Sequence, residues 1–281
     1  MEAKTTPKRI LKLFAISAKM DLAWLFRDTR YALVMILSDI VQNVGASAGM
    51  FLIASRFGGV GGMSADEVLF MTAYLSLNTG LFLMFGARNN IEVSRLIGRG
   101  QMEHMFLQPL SLKVQLFTCS FQPFTNSGSF ITGIILMVIA VGRLDMPITP
   151  MWIFMLLVYQ IVSMVVIVAR CYILSSLVFY SPTAENIAHT AVVDTWTLST
   201  FPLGGMPKFL VFPLLTIMPE GLLAWFPSMC LLGKPPLNLT AYYPMIFALI
   251  LSFVAIYFFR KGMRYYVKEG SNRYVPWGFR R

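Results

Sequence analysis

Polar and ionisable side chains embedded in apolar stretches are the residues of this sequence best placed to do chemistry. Asp39 is followed by Gln42, Asn43 and Ser47 at the spacing that puts all four on one face of a helix. Ionisable groups in lipid are costly unless they are paired or functional. The stripe therefore predicts either an interhelical hydrogen-bond seam or a water-filled substrate path, and both interpretations stay open.

Two further ionisable groups lie in apolar stretches. Arg170 is surrounded by aliphatic residues and needs a partner, for which Asp39 is one candidate. Asp194 lies in the moderately apolar stretch 187–203. Both residues are candidates for the same seam or path as the stripe.

A polar island interrupts the apolar sequence at residues 91–111, which read IEVSRLIGRGQMEHMFLQPLS. Glu92, Arg95 and Arg99 follow one another at i+3 and i+4 spacing, which places their charges on one face of a short helix. Ile91 and Leu96, with Ile97 nearby, are expected to turn toward the membrane interface.

The second half of the island predicts a tight turn and a stop. Gly98 and Gly100 permit the turn, and Pro109 restrains the start of the next element. The island is thus predicted to be a rigid, exposed knuckle, and an ordinary connecting loop is the alternative.

The sequence contains no pattern that predicts catalysis or metal binding. The phosphate-binding pattern GxxxxGK[ST] does not occur, and GGVGG at 58–62 lacks its lysine. Two histidines and scattered carboxylates form no metal-ligand cluster, and three cysteines without CxxC spacing are typical of small hydrophobic residues. We therefore expect this chain to have no enzymatic activity, metal or cofactor of its own.

Membrane-spanning helices must position these groups. The 281 residues are 57% hydrophobic and 13% charged, whereas soluble domains carry about a quarter charged residues. This composition predicts an all-α polytopic membrane protein with six transmembrane helices. Five apolar runs are clear, at 31–55, 68–87, 116–141, 151–179 and 242–259.

The region 181–240 allows two placements of the fifth span. In one, residues 187–203 cross the membrane, and 210–232 form a proline-broken, partly re-entrant segment on the outer side. In the other, 210–232 is itself the fifth span. The first placement is preferred, because backbone broken by three prolines is tolerated at membrane depth only where neighbouring protein satisfies it.

The basic residues predict the orientation. Of 23 Lys and Arg, seven precede Tyr31, four lie in 88–113 and seven lie from Arg260 onward. The two opposite short loops hold only Arg56 and Arg143. The positive-inside rule therefore predicts a multi-pass protein of the cytoplasmic (inner) membrane, with both termini and the island cytoplasmic.

Three parts of the chain are distinguished on this basis. Residues 1–30 are predicted to hold a basic amphipathic helix lying in the headgroup region. Residues 31–260 form the transmembrane domain, with a cytoplasmic loop at 88–113. Residues 261–281 form a basic cytoplasmic tail.

At the island the chain resembles a known family. The run RGQMEHMFLQPLS, with a polar turn, an acidic residue and a Pro-Leu-Ser ending, is similar to the cytoplasmic loop of ABC-2 type transporter permeases. The run FPLGGMPKFLVFPLLTIMPEGLLAWFPSMCLLGK resembles the proline-rich segment before the last span of the six-span bacterial export branch, often described as drug or antibiotic exporters. Gln108 departs from the pattern, in which a basic residue precedes Pro-Leu.

The resemblance implies a permease that dimerises, with a copy of itself or a relative, and docks on separate ATPase subunits. ATP and Mg²⁺ would bind in those subunits, and the loop 88–113 would be the coupling loop. The implied docking residues are Glu92, Arg95, Arg99, Gly100, Gln101, Glu103 and Pro109. The first and fifth spans of the two protomers would form the dimer seam and substrate path, which would make the stripe of Asp39, Gln42, Asn43 and Ser47 central. Arg170 and Asp194 remain candidates for the same seam or path because they are ionisable groups in apolar stretches.

The resulting hypothesis is ATP-driven export of a hydrophobic or amphipathic substrate. One alternative is an ion-coupled secondary transporter that uses Asp39 and Arg170, although no inverted repeat supports it. Another is a non-transporting membrane assembly or immunity protein.

Overall fold

The computed structural model describes residues 6–85, 90–118, 121–236 and 241–270. Regular structure in these ranges is helical, apart from an isolated antiparallel bridge between residues 60 and 63. The α-helices are α1 (Pro7–Arg27), α2 (Thr29–Phe57), α3 (Ala65–Phe85), α4 (Val93–Gly98), α5 (Met102–Phe106), α6 (Leu112–Thr118), α7 (Gly128–Arg143), α8 (Pro150–Ser175), α9 (Glu185–Ser199), α10 (Lys208–Thr216), α11 (Trp225–Leu231) and α12 (Tyr243–Glu269). Short 3-10 turns occupy Ser176–Phe179, Pro182–Ala184 and Pro219–Leu222. The all-α prediction is confirmed.

Four helices of the described ranges are long and apolar enough to cross a membrane: α2, α3, α8 with its 3-10 extension to Phe179, and α12. They correspond to the predicted first, second, fourth and last spans. Counting α10 and α11 together as one bent span gives five. A count of six therefore depends on shorter helices, α7 with 16 residues and α9 with 15.

The prediction that the third span starts at about residue 116 is wrong, because the continuous helix there starts later. Residues 112–118 form the separate helix α6, residues 121–127 are irregular, and α7 begins only at Gly128. Asp21 of α1 holds the irregular stretch by accepting bonds from the backbone N–H of Phe124 (2.8 Å) and Thr125 (3.3 Å). The polar run around Pro123 thus uses a side-chain acceptor where a continuous helix would use its own carbonyls.

Helices α3 and α7 pack at very short range. A Cβ added to Gly80 of α3 would overlap the backbone of Phe130, and one added to Gly133 of α7 would lie 2.6 Å from the Cα of Leu77. Small residues at a crossing let two helix backbones approach, the usual basis of tight helix packing in membranes. This contact places α7 against the centre of the most buried helix, α3.

Helix α9 runs from one end of the bundle to the other. Its first residue, Glu185, forms an ion pair with Arg99 of the island. The loop after α9 contacts the loop after α2, where a Cβ on Gly61 would lie 2.7 Å from the carbonyl oxygen of Gly204. We call these the island end and the opposite end. Fifteen residues of helix bridge about 22 Å.

The bent segment (residues 208–231) starts and finishes at the opposite end. Its two helices meet at 69°, next to the 3-10 turn that begins at Pro219. It follows the loop of Gly204, and just beyond it Lys234 Nζ lies 2.5 Å from Glu67 Oε1 in the first turn of α3. Both ends of the segment are therefore tied to the same end of the bundle.

The last helix does not stop where the predicted span does. Helix α12 continues without a break from Tyr243 to Glu269, so the boundary predicted at 260 falls inside a helix. Gly262 of this extension packs against the ring of Phe179. The remainder of the predicted tail, 271–281, lies outside the described residues.

Candidate functional site

The island contains two short helices joined by a turn, and Gly98, predicted to lie in that turn, is instead the last residue of α4. Helix α4 is followed by a turn in which Gly100 adopts the left-handed conformation (φ 67°), and α5 follows the turn. Arg95 Nη1 lies 3.0 Å from Glu92 Oε1, the predicted i, i+3 pair. Pro109 is exposed beyond α5.

Aliphatic side chains of α4 fasten the island to other helices. Val93 and Ile97 are buried in a cluster with Phe179, Ala188 and Tyr266, which belong to the end of α8 and to α9 and α12. The predicted turn of these aliphatic side chains toward the membrane interface is therefore wrong for Ile97. Burial against three separate elements seats α4 against the island end of the bundle.

Two charged residues of the island bind the same neighbouring helices. Arg99 Nε lies 3.0 Å from Glu185 Oε1, and a Cβ on Gly98 would lie 2.6 Å from the other oxygen of that carboxylate. Tyr266 Oη donates to Glu103 Oε1 at 3.4 Å. Arg99 and Glu103, predicted as docking residues, thus also have structural partners within the chain.

The tip of the island is exposed. Its exposed residues are Gln101, Glu103, His104, Phe106, Leu107, Gln108 and Pro109. Leu107 is 83% exposed and Phe106 is 45% exposed. Neither was predicted as a docking residue, although two adjacent apolar residues in a polar run were a usable signal.

Asp39 of the polar stripe caps a neighbouring helix. Its carboxylate accepts bonds from the backbone N–H of Ser129 (2.5 Å) and from Ser129 Oγ (2.6 Å), in the first turn of α7. Asn43 Nδ2 donates to Asp39 Oδ1 (3.0 Å) and to Ser129 Oγ (2.9 Å). A carboxylate at a helix N-terminus satisfies free N–H groups and interacts favourably with the helix dipole. These contacts form an interhelical seam within one chain.

The other two members of the stripe are in different surroundings. Ser47 is buried, whereas Gln42 is exposed. One part of the stripe therefore packs within the chain, and the other part lies on an exposed face of α2. Only the exposed part is available to a partner.

We expect Asp39→Asn to weaken the seam. The amide cannot accept from all three donors at once, so about 1–2 kcal/mol of stability should be lost. Thermal unfolding of the purified protein in detergent measures the loss. Gln42→Ala, on the exposed side of the same helix, should change stability by less than about 0.5 kcal/mol. Equal midpoints for the two variants would contradict the capping role.

Arg170 pairs with a residue that the sequence did not single out. Its Nη2 lies 2.7 Å from Glu220 Oε1 in the 3-10 turn of the bent segment. The Glu220 side chain is 1% exposed and that of Arg170 10%. The suggested Asp39–Arg170 pair is therefore not formed, and the partner lies inside the proline-rich segment before the last span.

Asp194 lies on an exposed face of α9. The opposite face of this helix is buried through Ala188, Val192, Thr195 and Ser199. The exposed face carries a mixture of polar and apolar side chains, namely Asn186, Ile187, Thr190, Val193, Asp194, Thr197 and Leu198. A carboxylate and three other polar residues on one face suit contact with protein or water better than contact with lipid tails.

No group of three or more His, Cys, Asp or Glu residues that could hold a metal occurs in the part of the chain that the structure describes. The polar features described above are the buried Arg170–Glu220 pair, the Asp39 carboxylate at the start of α7 and the exposed tip of the island.

Comparisons with known proteins give one match. A family model described as ABC-2 family transporter protein matches residues 40–270, a range that contains the island, α9 and the bent segment. No curated protein matches the chain. No solved structure matches it either.

Proposed function

The chain belongs to the ABC-2 family of transporter proteins, and from this premise we propose that it is the permease subunit of an ATP-driven exporter. The family and the apolar helices make it a multi-pass membrane transport component. Members of the family work with ABC ATPase subunits. The observation that carries the proposal is the island, a knuckle packed against three helical elements with the apolar side chains of Phe106 and Leu107 exposed at its tip.

We propose six spans, formed by α2, α3, α7, α8, α9 and α12. The contacts of α9 with both ends of the bundle support its assignment as the fifth span. The bent segment is then re-entrant, since both of its ends are tied to the opposite end. Eighteen Lys and Arg lie at the termini and in 88–113, which supports a cytoplasmic island end in the inner membrane.

The docking surface in this proposal is the tip of the island. Leu107 and Phe106 supply exposed apolar area, with Gln101 and Pro109 beside them. Binding energy at protein interfaces concentrates in a few such side chains surrounded by polar residues. ATP and Mg²⁺ would be held by the partner, and this chain would supply the knuckle that moves with it.

The open faces of α2 and α9 are proposed as the dimer seam and substrate path. Gln42 on α2 and Asp194 on α9 are exposed in the isolated chain. A second protomer would remove these polar groups from lipid. Asp39 and Arg170, on which the ion-coupled alternative depends, both have structural partners elsewhere.

Affinity purification from the native membrane in mild detergent tests the proposal. We expect an ABC ATPase and a second six-span protomer, identical or related, to copurify. Reconstituted vesicles should then move an amphipathic dye only when ATP is supplied on the island side. Dye transport driven by a proton gradient without ATP, or no ATPase in the purified complex, would contradict the proposal.

We expect Leu107→Asp to uncouple docking without unfolding the chain. Leu107 is 83% exposed, so a charge there should cost little stability. If Leu107 is a buried hot-spot contact in the complex, the variant should lose about tenfold or more in affinity for the ATPase. Val267→Asp, at an apolar residue 70% exposed on the α12 extension, is the matched control. Equal ATPase recovery with the two variants would place the docking surface elsewhere.

A further inference from the structure

Helix α9 contacts the island with its first residue and the bent segment with its last. Glu185 pairs with Arg99 at 3.0 Å and sits against the backbone of Gly98. Ser199 Oγ donates to the carbonyl oxygen of Glu220 at 3.1 Å. The cytosolic knuckle and the turn at the bend of the bent segment are thus joined by one uninterrupted helix.

A third contact joins the middle of α9 to the same turn. Arg170 Nη2 donates to the carbonyl oxygen of Ala191 at 3.4 Å and lies 2.7 Å from Glu220 Oε1. Arg170 therefore links α8, the centre of α9 and the bent segment. Because this pair is almost fully buried, its charges are poorly screened from each other by solvent.

The mechanical properties of α9 suit it to carry a displacement. A hydrogen-bonded helix keeps its rise of about 1.5 Å per residue, so a shift of one end along the axis appears at the other. The buried residues Ala188, Val192, Thr195 and Ser199 form one continuous stripe, and this stripe keeps α9 seated while it moves. Glu185 precedes that stripe, at the end of α9 that contacts the island.

We propose that α9 transmits motion of the island to the bent segment, with Arg99–Glu185 as the input contact and Glu220 as the output contact. The inference rests on the proposed function, because the ATPase is what would move the island. Glu185 and Glu220 are positioning residues in this scheme. The bent segment would move at the opposite end whenever the knuckle moves.

A thiol-accessibility measurement tests the transmission. The three cysteines of the sequence are replaced by alanine and Met206→Cys is introduced. Met206 is 40% exposed in the loop between α9 and the bent segment. In the reconstituted complex with its copurified ATPase, ATP with vanadate should change the rate of labelling by a membrane-impermeant maleimide about fivefold or more.

Disrupting the input contact should abolish that response. Arg99→Gln should reduce the ATP-dependent change to less than about twofold, and the charge swap Arg99→Glu with Glu185→Arg should restore most of it. The control is Arg143→Gln, which breaks the exposed pair with Asp66 at the opposite end and should leave the response intact.

Four results would overturn the inference. An Arg99→Gln complex that responds like the parent, or a charge swap without recovery although the ATPase still binds, excludes the α9 route and leaves the exporter proposal standing. A parent complex that hydrolyses ATP without any change at residue 206 excludes transmission to the bent segment. Failure of any ATPase to copurify contradicts the proposed function as well, and this is seen before labelling begins.

Discussion

Glu220→Leu is expected to destabilise the protein by about 3–5 kcal/mol. The substitution leaves the Arg170 guanidinium buried without its counter-charge, and an unpaired buried ion costs about this much. In the folded protein these two side chains lie 2.7 Å apart and are 10% and 1% exposed. Chemical unfolding in mixed micelles, followed by tryptophan fluorescence, measures the loss.

The double variant Arg170→Met with Glu220→Leu separates charge from packing. Removing both ions should recover most of the lost stability, because apolar residues of similar volume often replace a buried pair at little cost. Asp66→Asn is the control, since the pair of Asp66 and Arg143 is partly exposed and should contribute no more than about 1 kcal/mol. A double variant as unstable as Glu220→Leu would refute the ion-pair explanation.

Gly80→Ala with Gly133→Ala is expected to separate α3 from α7. Each new Cβ would meet backbone atoms of the facing helix, those of Phe130 and Leu77, and backbone cannot move aside as a flexible side chain can. Overpacking of this kind costs about 1–3 kcal/mol at each site. Folded yield in detergent and the thermal unfolding midpoint should both fall.

Gly142→Ala is the matched control for this pair of helices. It lies on the same helix as Gly133, but nothing lies within 4 Å of the position its Cβ would take. Alanine also has a better helix propensity than glycine, by about 1 kcal/mol. The control should therefore be neutral or stabilising, and a loss equal to that of Gly133→Ala would contradict the close-packing explanation.

The capping role of Asp39 alters how the polar stripe is understood. Sequence spacing placed Asp39 and its neighbours on one face, and the structure shows that the face is divided. Asp39 and Asn43 bind Ser129 at the start of α7, whereas Gln42 stays exposed. A variant of Asp39 that lowers transport would thus act through the position of α7 before any effect on substrate.

Asp21 and Asp39 together explain the misplaced third span. The mean hydropathy stays high across the polar residues at 121–127 because apolar residues surround them, so the sequence predicts one continuous span there. Two carboxylates from earlier helices supply acceptors at Phe124, Thr125 and Ser129, so the chain bends there and the helix starts anew. Such acceptors lie about ninety to a hundred residues away in sequence, beyond the reach of any local pattern.

The sequence alone determined the class of the protein, the apolar helices, the charge bias and the island with its Pro-Leu-Ser ending. These are properties of composition and of short-range periodicity, which helix geometry imposes on every stretch independently. The tertiary structure alone decided the partners: Glu220 for Arg170, Ser129 for Asp39, and Glu185 for Arg99. Each of these pairs depends on how separate helices pack, and packing is a property of the whole chain.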